Sequence, residues 1–122
     1  MNLSTSAFTG RIKTHRRIYA ATAVLLPFLA DGTTINWTDF ERHLRLTVSS
    51  GLEPALNMDT GFGPQLSPAQ RREVLSFARR VLGPGAPLIA GASAFGGPGD
   101  ALANYQLSLA DILDHGATPI IF

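Results

Sequence analysis

The sequence predicts an α/β chain of parallel strand–helix units, about four strands and three helices, amounting to half of a closed barrel. Three observations lead there. Apolar runs of strand length begin near residues 19, 52, 87 and 118, and the first is continuous rather than alternating, as in strands covered on both faces. The runs recur at intervals of roughly 30 residues, the length of one β–α unit. Stretches with apolar residues at helical spacing separate them, which is the pattern of a parallel sheet. At 122 residues, 45% hydrophobic and 16% charged, the chain can build one core and carries too little charge for disorder.

Taken in order, residues 1–18 read as a polar, solvated arm with Arg11, Lys13, His15, Arg16 and Arg17. No aromatic residue interleaves this basic cluster to stack on bases. Residues 19–122 form the strand–helix region. The first strand covers 19–25 and should be buried on both faces; Leu26-Pro27-Phe28 ends it and Asp31-Gly32 turns the chain. Thr38 and Glu41 stand three apart, the spacing of a capping box, and Phe40, Leu44 and Val48 follow on one helical face until Gly51.

The second strand, 52–58, should hold Pro54 near its start, where no ladder donor is needed. Ser67 and Gln70 form another capping box, with Pro68 at the first helical position. That helix turns Val74, Leu75, Ala78 and Leu82 inward and Arg72, Arg79 and Arg80 mostly outward. A short strand at 87–90 precedes a loose glycine-rich loop that lacks the ordered G-x-G-x-x-G of a dinucleotide site. Asp100 caps a third helix whose stripe is Leu102, Tyr105, Leu109, Ile112 and Leu113, with Asp111 and Asp114 solvated. Gly116 closes it, and the fourth strand runs over 118–122.

Composition narrows the function. A net charge of +1 supplies no bulk field for nucleic acid or an anionic membrane. Without cysteine there is no disulfide, thiolate nucleophile or thiolate metal site, and no cofactor motif appears. His15, His43 and His115 are too scattered for a local metal motif, so no metal is expected. His115 reads as a favourable charge at a helix C-terminus, and Ser67 as a cap rather than an acyl nucleophile. The expected location is cytoplasmic. Arg16-Arg17 before the apolar stretch 18–30 imitates an export signal, but Pro27 interrupts the run and Phe28 is too large for the cleavage pattern.

The candidate site is the turn after the second strand. In parallel α/β proteins ligands bind at the carboxyl ends of strands, and there the sequence places Asp59, Thr60 and Gly61. Asp59 is the candidate general base; equally, an aspartate in a turn can simply bond its own backbone.

Leu26-Pro27-Phe28 with Asp31-Gly32, Asp59-Thr60-Gly61 with Leu66-Ser67, Leu88-Ile89-Ala90-Gly91, and Gly116-Ala117 resemble, in that order, the N-terminal half of the dihydrodipicolinate synthase and N-acetylneuraminate lyase family. The resemblance implies half of a TIM barrel and a parent carbon–carbon or carbon–oxygen lyase or aldolase. Such enzymes act through a Schiff base between lysine and a small keto acid and are often oligomeric. The family's Gly-Thr-Thr-Gly-Glu turn is matched only at Thr60 and Gly61, which inherit the substrate-carboxylate role; Asp59 replaces a threonine of a tyrosine proton relay. A carboxylate at Asp59 would repel a keto acid unless protonated or paired, so the substrate differs from pyruvate or Asp59 acts as a base. The family's tyrosine and lysine lie on later strands, beyond Phe122, and the one lysine here, Lys13, precedes the first strand. The isolated chain is therefore expected to be inactive. Its partners would be a small carboxylate or keto acid and either a homo-oligomer or the missing half-barrel. The competing reading is a non-enzymatic half-barrel that serves oligomerisation or interaction, because a four-stranded parallel sheet leaves two edges to be covered.

Overall fold

The computed structural model describes residues 14–121. Most of the expected arm, including Arg11 and Lys13, lies outside the described residues, as does Phe122. Four parallel strands, β1 (Ala21–Ala23), β2 (Glu53–Leu56), β3 (Ile89–Gly91) and β4 (Thr118–Ile120), pair in the order β1-β2-β3-β4. Helices α1 (Trp37–Ser49), α2 (Pro68–Leu82) and α3 (Ala101–Asp114) link them. Consecutive parallel neighbours joined by right-handed crossovers put all three helices on one face, and α1 packs on α2, and α2 on α3. The predicted fold class is borne out: alternating β/α units of a barrel.

The register decides which residues form the core. Leu56 pairs with Ala90 and so shares a face with it. That face meets Phe40 and Leu44 of α1, Val74, Leu75 and Ala78 of α2, and Ile112 of α3. Phe40, Leu44 and Ala78 have no solvent exposure, and burying side chains of the larger kind contributes roughly 1.5–3 kcal/mol each. Trp37, Phe40 and Phe77 cluster between α1 and α2, with ring centroids 4.7–6.1 Å apart, a spacing that favours aromatic pairs.

Several local expectations change. The N-cap of α1 is Asn36, not Thr38: its side-chain oxygen accepts from the Asp39 N–H at 3.1 Å while its amide donates to the Asp39 carboxylate at 2.8 Å. Thr38 therefore sits inside the first turn, and this carboxamide–carboxylate pair does the work of a capping box two residues earlier. Val48, expected on the buried face, is exposed near the helix end. β1 is shorter than predicted and is not buried on both faces, because it is an edge strand with Ile18, Tyr19 and Leu25 exposed. In α3, Leu102 and Leu113 are exposed and Asn104 is buried, since the packed face is set by Tyr105, Leu109 and Ile112. The capping box Ser67–Gln70, Pro68 at the first position of α2 and the Asp100 cap form as expected. Gly51 and Gly116 take the left-handed conformation just after their helices.

Candidate functional site

β2 ends at Leu56, and the next residue, Asn57, is left-handed with φ +53°. Asparagine tolerates that conformation better than most residues, so the chain turns sharply into a 3-10 turn, Asp59–Gly61. Gly61 and Gly63 are required by close approach. A Cβ at Gly61 would lie 2.8 Å from the Val24 carbonyl beyond β1, and one at Gly63 would lie 2.2 Å from the Asn57 carbonyl. The candidate residues thus stand beyond the carboxyl end of β2, against the end of β1.

The side chains divide sharply. Asp59 and Thr60 are exposed, whereas Gly61 is buried. The turn spends the N–H groups of Gly61, Phe62 and Gly63 on Met58 and Asp59 carbonyls, at 2.9–3.2 Å. Among the described residues the Asp59 carboxylate makes no side-chain hydrogen bond to its own turn and no ion pair. It lines a cleft of about 50 Å³ between the ends of β2 and β3 with Asn57, Pro64, Ser93, Phe95 and Tyr105. Thr60 and Gly61 are not among the cleft's lining residues.

Behind this turn lies a polar anchor that the sequence reading missed. Arg71 is buried, 6% exposed, on α2. Its guanidinium donates to the carbonyls of Leu66 at 2.5 Å, Gly63 at 3.4 Å and Phe95 at 2.7 Å. One cation therefore ties the β2–α2 turn to the β3–α3 loop. Burial lowers its pKa from the ordinary arginine value, and the charge of Asp111 opposes that shift. Arg71 precedes Val74 and Leu75 by three and four positions, and that helical spacing was the signal that it faces inward.

Asn57 donates to the Arg71 carbonyl at 3.2 Å, while its side-chain oxygen is buried without a partner among the described residues. Asn104 braces the β3–α3 loop by donating to the carbonyls of Ala94 and Gly99 and accepting from the Gly99 N–H. A larger cavity of about 150 Å³ opens between α2 and α3, lined among others by Asn57, Arg71, Phe95, Asn104 and Asp111. Asp111 is not simply solvated: it holds Arg72 through two bonds of 3.0 Å, which raises the Arg72 pKa. Arg79, expected to point mostly outward, is half-buried and binds the carbonyls of Gly83, Ala86, His115 and Gly116. His115 bridges the Ser76 hydroxyl at 2.8 Å and the Asp111 carbonyl at 2.6 Å, a link between α2 and α3. Among the described residues no cluster of three or more histidine and acidic side chains could hold a metal, and no helix is long and apolar enough to cross a membrane.

This geometry defines a class: consecutive β/α units of a parallel barrel, with a polar turn at the carboxyl ends of the strands. No protein-family profile matches the chain. Over 73 residues it is 34% identical to a 4-hydroxy-tetrahydrodipicolinate synthase of Kosmotoga olearia, covering 59% of this chain and 24% of that one. Among solved structures it is similar to a candidate dihydrodipicolinate synthetase from Pseudomonas aeruginosa, with a TM-score of 0.70 and 20% identity, covering 86% of this chain and 35% of that one. It is also similar to dihydrodipicolinate synthase from Oceanobacillus iheyensis, with a TM-score of 0.65 and 20% identity, covering 84% and 33%. The resemblance read from the sequence is borne out as a likeness to dihydrodipicolinate synthases over part of their length. The chain spans between a quarter and about a third of the length of the proteins it matches.

Proposed function

We propose that these β/α units form the first part of a Schiff-base lyase or aldolase that acts on a small keto acid. Thr60 would meet the substrate carboxylate, Gly61 would shape the turn that presents it, and Asp59 would serve as general base. The observation that carries the reading is the position of the turn, immediately beyond the carboxyl end of β2 in a sheet built like that of the family. Support for Asp59 comes from its exposed carboxylate, which lines the cleft and is not spent on its own turn. A base must be free to reach a substrate proton. The Gly61 N–H is already donated to Met58, so the Thr60 hydroxyl is the leading substrate contact, and Gly61 serves by letting the turn approach β1.

Schiff-base chemistry requires an amine. Lys13, the one lysine in these 122 residues, precedes the first strand, so the reactive amine would come from the part of the barrel that the longer relatives add. The isolated chain should give no borohydride-trapped adduct with pyruvate.

A chimera that joins residues 1–122 to the remaining portion of the Kosmotoga olearia relative tests the assignment. Pyruvate should be trapped by borohydride, Asp59→Asn should lower turnover about 100-fold or more, and Thr60→Val should raise KM for the keto acid. A folded chimera whose kinetics neither substitution alters would remove the site from these residues.

A further inference from the structure

Ser67 caps α2, but a different serine has a histidine within reach. Ser76 projects from the middle of α2, and His115, 39 residues further along the chain, caps the C-terminus of α3. The Ser76 hydroxyl oxygen stands 2.8 Å from His115 Nε2, and His115 Nδ1 stands 2.6 Å from the Asp111 carbonyl oxygen. Both residues are half-buried, so neither is sealed from solvent.

The second of these contacts fixes the tautomer. A backbone carbonyl only accepts, so Nδ1 carries the proton of the neutral ring and Nε2 presents a lone pair. The Ser76 O–H is then the donor of the 2.8 Å bond. A hydroxyl held by an imidazole whose other nitrogen is oriented by a third group is the arrangement that activates serine as a nucleophile. Here a main-chain carbonyl does the orienting.

The surroundings hold that geometry and set its charge. Arg79 lies three residues after Ser76, on the same face of α2. Its Nε donates to the His115 carbonyl at 2.8 Å and its Nη2 to the Gly116 carbonyl at 2.9 Å. The imidazole is therefore placed through its backbone as well as through Asp111. Arg80, one turn after Ser76, is held over the Phe77 ring at 5.4 Å and forms no ion pair among the described residues. It leaves positive charge on the side of α2 where an acyl oxygen would become negative.

We infer that Ser76 and His115 form a nucleophile–base pair, an acyl-acceptor site between α2 and α3 that takes small activated esters. Ser76 Oγ attacks the acyl carbon while its proton passes to His115 Nε2, and the Asp111 carbonyl steadies the resulting imidazolium through Nδ1–H. The bond from the acyl carbon to the leaving oxygen then breaks. The leaving group departs as an anion, the proton on Nε2 passes to it or to water, and the acyl group stays on Ser76 as an ester. The site shares no residue with the Asp59 cleft and does not rest on the keto-acid reading.

Treatment of the 122-residue chain with p-nitrophenyl acetate tests the inference. Trypsin releases Ser76 in the peptide 73–79, between Arg72 and Arg79, and mass spectrometry should find one acetyl group there. The peptide 46–71, which carries Ser49, Ser50 and Ser67, should label far more slowly. His115→Gln should slow acetylation of Ser76 about 100-fold or more while circular dichroism keeps its helix signal. A second variant guards against misfolding. The chain has no cysteine, so Ser76→Cys introduces a single thiol, whose alkylation by iodoacetamide should slow about tenfold or more when His115→Gln is added. Unfolding would expose the thiol and speed that reaction, so the direction of the change separates loss of the base from loss of the fold. An unlabelled Ser76, labelling no faster than at Ser67, or rates that His115→Gln leaves unchanged would overturn it. None of these outcomes bears on the keto-acid reading, which the chimera tests separately.

Discussion

Arg71 and Arg72 are neighbours on α2, yet they solve opposite problems. Arg71 is buried at the strand ends and spends its donors on backbone carbonyls of two loops. Arg72 is exposed and grips Asp111 of α3 in a two-bond ion pair. A buried cation is costly to leave unpartnered, so Arg71 persists because carbonyls converge on it, and those carbonyls belong to the loops that frame the Asp59 cleft. The Arg72 pair is solvated and contributes little. Polar groups at the mouth shape the site, and the Arg72 pair on the outer layer only tethers helices.

That contrast sets an order of effects. Gly63→Ala should act most strongly, because the added Cβ would meet the Asn57 carbonyl at 2.2 Å and displace the turn that Arg71 holds. A loss of about 3 kcal/mol or more is expected in urea unfolding. Arg71→Leu strands buried carbonyls, and we expect a loss of about 2–3 kcal/mol, together with faster amide exchange in both the turn and the Ala92–Gly99 region. Arg72→Ala should cost no more than about 1 kcal/mol. Equal losses at the two arginines would erase the distinction drawn between them.

The smallest effect lies at Asp31, beyond β1, whose pKa is lowered to about 2 by the Thr34 hydroxyl and by the Thr34 and Thr33 N–H groups. Because the folded pKa lies below the unfolded one, its contribution is present above pH 3.8 and is lost as pH falls through about 2. Carbon-detected titration of Asp31 should show a midpoint near the lowered value, and Thr34→Val should raise it; an unchanged midpoint would remove Thr34 as the principal cause.

Much of this was legible in the sequence because it is local. Ser67 and Gln70 cap α2 through groups three residues apart, and Asp100 caps α3 likewise. The strand–helix period also carried through to the sheet order. What escaped depends on partners distant in sequence. Asn36 displaced Thr38 as the cap because Phe28 bridges to Ile35 and sets where the chain enters α1. Arg71, Arg79 and Asp111 were read as solvated or passed over because each has a partner 24 to 39 residues away that fixes where its side chain lies. The position of Asp59, Thr60 and Gly61 at a strand end was legible, while the spending of the Gly61 N–H on Met58 required the turn itself.

The central proposal is that the Asp59–Gly61 turn, at the carboxyl end of β2, meets a small keto acid. An amide-resolved NMR titration of the 122-residue chain with pyruvate tests it most directly. The account predicts saturable shifts centred on Asp59, Thr60 and Ser93, abolished by Thr60→Val and absent from α1. Shifts that are unsaturable, spread evenly over the chain, or indifferent to Thr60 would contradict it.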